Sequence, residues 1–211
     1  MTNKSNQWSE TLQKGLPYFA LVAPISWFIG SIIWTSGLGH LPGDLFWVSG
    51  IEGFIMTLSA PFFSATFIYI GQFIARQFPK AGVWVTILGM LGVCPLCAIS
   101  SFRLFITVFV EHGIDPGLIS KAFNAESNYY LPFLILQLGT FASFILAGIT
   151  ILRMRNSPKW AGILIVVSIP ILVTGQFLLF HTEVFWPLAT GCWTLGLVGL
   201  FQHSKRIKEN S

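Results

Sequence analysis

Apolar residues fall into six long runs separated by short polar stretches, at roughly residues 16–38, 51–75, 82–103, 131–152, 160–180 and 184–203. Each run is about twenty residues, and a helix of that length, rising about 1.5 Å per residue, crosses a hydrocarbon core of about 30 Å. Lipid offers no partner for backbone N–H and C=O groups, so such runs must satisfy them internally as helices. The pattern predicts an all-α fold, a polytopic transmembrane six-helix bundle, as a single membrane domain over residues 1–211. The polar, Lys4- and Lys14-bearing start resembles the flank of a signal sequence, but the run after it is too long for a signal core and ends without a small-residue cleavage site. It reads as a retained first helix.

Local signals mark the boundaries. Ser49-Gly50-Ile51-Glu52 has capping-box spacing ahead of the second run. Asp115-Pro116 reads as an N-cap followed by proline at the first helical position, which predicts a short surface helix in the third loop. Asn156-Ser157-Pro158 predicts a tight turn between the fourth and fifth helices. Pro24, Pro61, Pro95 and Pro170 lie inside the runs. Each frees a carbonyl one turn earlier and bends its helix, a packing device in many membrane helices and a way to build midplane sites in transporters.

Composition agrees with the pattern. Apolar residues make up 54% of the chain and charged residues 9%, against roughly 25% charged in soluble domains. A soluble fold of this size has too much surface to hide so much apolar material. The net charge of +4 does not mark a nucleic-acid partner, because the cations sit in small clusters between apolar runs. Ten of the twelve lie before run one, between runs two and three, between runs four and five, or after run six. By the positive-inside bias those segments and both termini are cytoplasmic, giving N-in/C-in topology. Asp44, Glu52, Glu111, Asp115, Glu126 and Glu183 fall on the opposite, outer side.

Candidate chemistry gathers at that outer level. Arg103 ends the third run, Gln137 lies about two turns into the fourth, and Gln176 about one turn from the end of the fifth. Glu52, His181 and Glu183 lie at the same level. Buried ionisable and amide groups should face the bundle interior or a water-filled cavity, since exposing them to lipid is costly. The set predicts an outward-facing polar pocket in which Arg103 anchors an anionic group, Gln137 and Gln176 supply hydrogen bonds, and Glu52 or Glu183 balances charge. A plainer reading has Arg103 reaching for the headgroups or pairing with Glu111 or Glu183, and Glu52 only capping its helix.

Cys94-Pro95-Leu96-Cys97 carries the rival, redox reading, since two thiols three residues apart on a helix can exchange a disulfide. Cys192 lies at a similar depth, roughly 12–14 Å from the outer end, so it could meet Cys94 across the third and sixth helices. Membrane thiol–quinone oxidoreductases use such pairs, but they also carry a shuttle pair in an outer loop, and all three cysteines here lie inside apolar runs. There a thiolate lacks water to stabilise it, and small residues simply let helices approach. His40, His112 and His181 are outer and His203 inner, so no facing pair at mid-depth suits a haem. No HExxH, phosphate loop or nucleophile elbow occurs, and neither a metal nor a cofactor is expected.

The segment Arg153-Met-Arg-Asn-Ser-Pro-Lys-Trp-Ala-Gly162 resembles a cytoplasmic turn of uncharacterised six-span bacterial integral membrane proteins, in which a basic cluster and Pro-x-Trp-x-Gly reopen the fifth helix. The likeness implies a bacterial inner membrane and carries no activity with it. Three functions remain open from sequence. They are binding or passage of a small molecule or lipid through the outer pocket, thiol–quinone oxidoreduction at Cys94 and Cys97, and a non-catalytic accessory or sensor role. The expected partners are the lipid bilayer, that small-molecule or lipid ligand, and for the third function an oligomer or partner membrane subunit.

Overall fold

A computed structural model describes residues 4–45, 48–124, 131–175 and 184–209. The helices are α1 (Lys4–Thr35), α2 (Gly50–Ser59), α3 (Phe63–Ala75), α4 (Pro79–Glu111), α5 (Pro116–Asn124), α6 (Leu131–Arg153), α7 (Lys159–Val173) and α8 (Phe185–Glu209). Among the described residues no strand forms beyond an isolated bridge between His40 and Ser49. Four stretches among the described residues are long and apolar enough to cross a membrane: Glu10–Thr35, Gly50–Ala75, Pro79–Glu111 and Leu131–Arg153. Helix α7 is shorter, and the end of the fifth apolar run lies outside the described residues.

Several boundaries form as their residues dictate. Ser49 Oγ accepts the Glu52 N–H at 3.3 Å and donates to the Leu38 carbonyl at 2.8 Å, tying the α2 start to the end of the α1 loop. Asp115 Oδ1 accepts the Gly117 N–H at 3.1 Å ahead of α5. The 154–158 turn places Asn156 at φ 51, in the left-handed region that asparagine tolerates. The Gln77 amide then exchanges two hydrogen bonds of 2.9 Å with the Arg155 backbone, joining the two basic turns.

Other boundaries differ from the apolar pattern. Helix α1 begins well before residue 16 and α8 continues to Glu209, because polar residues extend a helix into water once an apolar run has nucleated it. The second run is broken by a 3-10 turn at Ala60–Phe62, where Pro61 removes a backbone donor. Helix α4 runs on to Glu111, so Arg103 does not end it but lies about two turns inside. At Pro24 the freed Ala20 carbonyl accepts the Thr66 hydroxyl at 2.7 Å, and the Pro24 carbonyl accepts that of Thr194 at 2.9 Å. Helices α3 and α8 thereby stitch the bend in α1.

The long elements close a ring in chain order: α1 packs on α2 and α3, these on α4, α4 on α6, α6 on α7, α7 on α8, and α8 returns to α1. Aromatic rings fill the middle. Trp27, Phe63, Phe67, Phe144 and Trp193 are all buried, in contacts of 5.0–6.3 Å between centroids. Around the ring, glycines let backbones touch. A Cβ on Gly82 would sit 2.5 Å from the Gly71 carbonyl, one on Gly139 2.6 Å from the Leu88 carbonyl, and one on Gly148 2.7 Å from the Gly162 carbonyl. Such small-residue crossings are how helices associate where no hydrophobic force separates protein from solvent. The outside of the ring is apolar, which is compatible with a membrane location.

Candidate functional site

The polar centre begins with Glu52. Its position in the first turn of α2 would let the carboxylate fold back onto the helix start, yet the side chain turns away and forms an ion pair with the Arg103 guanidinium of α4. A glycine makes this approach possible. Gly53 brings the α2 backbone against α4, where an added Cβ would lie 3.1 Å from Arg103 Cβ and from the Leu104 nitrogen. On the other side the Glu52 stem packs on α1 at Gly30, where a Cβ would stand at ordinary contact distance, 3.5 Å from Glu52 Cγ. Glu52 is fully buried and the Arg103 side chain is 16% exposed. Capping is therefore not the main role of the Glu52 carboxylate, and neither Glu111 nor the headgroup level takes the guanidinium.

One face of Arg103 looks into a cavity of about 380 Å³ bounded mainly by α4, α6 and α8, with α1, α2 and α7 contributing Trp27, Met56 and Leu172. Gln137 of α6 lines it as well, so the structure brings Arg103, Gln137 and, behind the arginine, Glu52 together. Gln176, His181 and Glu183 lie outside the described residues. The rest of the lining is mostly leucine, isoleucine and aromatic side chains, with Trp27, Trp186, Trp193, Ser100 and Thr140 among them.

The polar atoms on this lining are mostly unsatisfied. Gln137 Oε1, Thr140 Oγ1 and the indole nitrogens of Trp27, Trp186 and Trp193 are buried without a hydrogen-bond partner. Glu52 Oε1 is buried the same way, with Trp186 near it but short of hydrogen-bond geometry. Folded proteins pair most buried polar atoms, and each orphan costs on the order of 1–3 kcal/mol. Five on one cavity wall is the arrangement of a site that a ligand or ordered water completes.

Trp27, Thr140, Trp186 and Trp193 are missing from the residues that the sequence nominated for the pocket. A signal existed, because Trp27 and Trp193 lie deeper in their runs than the usual interfacial belt. Their convergence on one wall needed the ring closure of α8 onto α1.

The thiols do not assemble a second site. All three are free; Cys94 is exposed on the outside of α4, and Cys97 and Cys192 are half-buried. The expected meeting of Cys94 with Cys192 is not formed, since α4 and α8 are not packed neighbours in the ring and the aromatic centre lies between their sides of it. Among the described residues no group of three histidine, cysteine or acidic side chains is placed to hold a metal. No protein-family model, curated protein or solved structure matches this chain.

Proposed function

We propose that this chain is a multi-pass protein of the cell (inner) membrane, with six spans and both termini cytoplasmic, that binds a small molecule or lipid in the cavity beside Arg103. Support for the topology comes from the four long apolar helices, the apolar exterior and the gathering of cations at residues 76–80 and 153–159. A reporter fused after Ser211 is expected to be active only when it reports on the cytoplasm. Activity on the opposite side would reverse the orientation.

The observation that carries the binding reading is the concentration of unpartnered buried polar atoms on the wall of one cavity, next to a buried ion pair. Glu52 holds the guanidinium in place and neutralises it. The remaining guanidinium N–H groups, the Gln137 amide and the indole N–H groups supply directional hydrogen bonds to whatever sits among the leucines. Removing either partner of such a pair leaves a buried charge and costs about 3–5 kcal/mol, so the pair also fixes α2 against α4.

The test is to purify the full chain in mild detergent and identify bound small molecules by native mass spectrometry. The wild type is expected to retain a stoichiometric ligand that Gln137→Leu loses while its melting temperature is kept. Identical, ligand-free spectra for both, after extraction in two unrelated detergents, would remove the binding reading. The oxidoreductase reading gains nothing from the placement of Cys94 on the exterior.

A further inference from the structure

The chemistry of the wall specifies more than the existence of a ligand. We infer that the cavity takes the head of an uncharged, lipid-soluble molecule bearing carbonyl oxygens, admitted sideways between α4 and α6. This rests on the pocket reading above and narrows it to one ligand class and one route.

Charge comes first. Among the described residues Arg103 is the one charged side chain on the lining, and the carboxylate of fully buried Glu52 already balances it. An anionic head would meet the guanidinium only by competing with that carboxylate, and a cation would be repelled by the guanidinium. The pair as a whole is neutral, so a neutral head enters without disturbing it.

Hydrogen-bond polarity comes second. An indole nitrogen can only donate, and among the described residues the cavity holds two with no acceptor nearby, at Trp27 and Trp193, while that of Trp186 lies near the Glu52 carboxylate. The guanidinium is also donor-only. A matching head must therefore present acceptors at more than one position, which carbonyl oxygens do without charge. Gln137 and Thr140 add an amide and a hydroxyl, each able to meet a ligand hydroxyl or carbonyl.

The route is the third element. Helices α4 and α6 cross in backbone contact at Gly92 and Gly139, and the cavity lies on the Arg103 side of that crossing. Ile99 of α4 with Leu134, Ile135 and Leu138 of α6 line it there, and their exposure marks its mouth. All four also lie exposed on the outer, apolar surface of the ring. A solute crossing this threshold meets hydrocarbon on both sides, so it arrives from the bilayer. At about 380 Å³ the space is near the lower end for ligand sites and suits a head group, with an apolar tail left in the mouth.

Two kinds of molecule share this chemistry: a quinone, with two ring carbonyls, and a neutral diacylglycerol, with ester carbonyls. Full-length protein in phosphatidylcholine nanodiscs would be titrated with a short-chain benzoquinone, with dioleoylglycerol and with oleate as the anionic control. Tryptophan fluorescence gives the readout, because three of the eight tryptophans line the cavity. One of the two neutral probes is expected to give a saturable change, at least tenfold weaker in Gln137→Leu and slowed in Leu134→Trp, which narrows the mouth at an exposed position. The probe that saturates identifies the source. Tighter saturable binding of oleate than of either neutral probe would overturn the neutral class while leaving the pocket reading intact. Binding unaffected by Leu134→Trp would overturn the sideways route. No saturable response to any of the three probes would overturn this inference, while the pocket reading stands or falls on the native mass spectra.

Discussion

The two halves of the ring differ in how completely they are packed. Toward the basic turns, helices touch backbone to backbone at Gly71–Gly82 and Gly148–Gly162, and buried hydroxyls are matched. Ser143 donates to the Val85 carbonyl at 2.7 Å, and Tyr69 donates to Ser204 at 3.1 Å. Toward the acidic end α2 still meets α4 closely at Gly53 and Ser31 bonds Thr190 at 2.8 Å, but α4, α6 and α8 leave a cavity, and every unpartnered buried polar side-chain atom found among the described residues lies in this half or at its inner limit, Thr140 and Trp193. The same ring carries both, so the open half is not a sign of a loosely packed protein. Tight crossings at one end supply the rigidity that lets the other end keep unsatisfied groups in fixed positions.

The largest expected effect lies at the junction of cavity and core. Arg103→Met alone should lose about 3–5 kcal/mol, because Glu52 is left charged and buried. The double change Arg103→Met with Glu52→Leu should recover most of it, as paired replacement of a buried ion pair by apolar residues often does. Thermal unfolding in detergent checks this, and a double variant no better than the single one would mean that the pair is not the coupling element.

In the tight half, Gly82→Ala places a methyl group 2.5 Å from the Gly71 carbonyl, and backbone cannot move aside as a side chain can. A loss of about 1–3 kcal/mol is expected, again from the unfolding midpoint. Wild-type stability in this variant would show that α3 and α4 do not need their close approach.

A sharper contrast comes from two hydroxyls one turn apart on α6. Ser143→Ala removes a made hydrogen bond and should cost about 0.6 kcal/mol, the average for such bonds between membrane helices. Thr140→Val removes an unmatched hydroxyl with nearly the same shape, so it should be neutral or slightly stabilising without ligand. Equal losses for the two would erase the distinction between the halves.

The smallest effect concerns the thiols. A membrane-permeant maleimide should modify exposed Cys94 before half-buried Cys97 and Cys192, with little change in stability. Mild oxidation should give no Cys94–Cys192 bridge, which proteolysis and mass spectrometry would reveal.

Much of the architecture was legible because hydrocarbon length and backbone satisfaction are local requirements. The runs at 51–75, 82–103 and 131–152 correspond closely to α2 with α3, α4 and α6, and the caps at Ser49 and Asp115 reach only three and two residues along the chain. Helix ends were less legible, since Lys4–Gln13 and Arg103–Glu111 are helical by continuation and not by apolarity. Arg103, Gln137 and Glu52 were legible as candidates because polar groups in apolar runs are conspicuous.

What the chain order could not specify was which polar groups meet. Glu52 and Arg103 are 51 positions apart, and their pairing depends on α2 lying against α4 at Gly53. The three cavity indoles come from α1 and from both ends of the first two turns of α8, and they share a wall only because α8 closes the ring onto α1. Apolar periodicity and charge clusters decide which segments become helices, because those energies depend on each residue's own surroundings. Partner choice and cavity shape were decided by helix crossings, because they depend on distances between residues far apart in the chain.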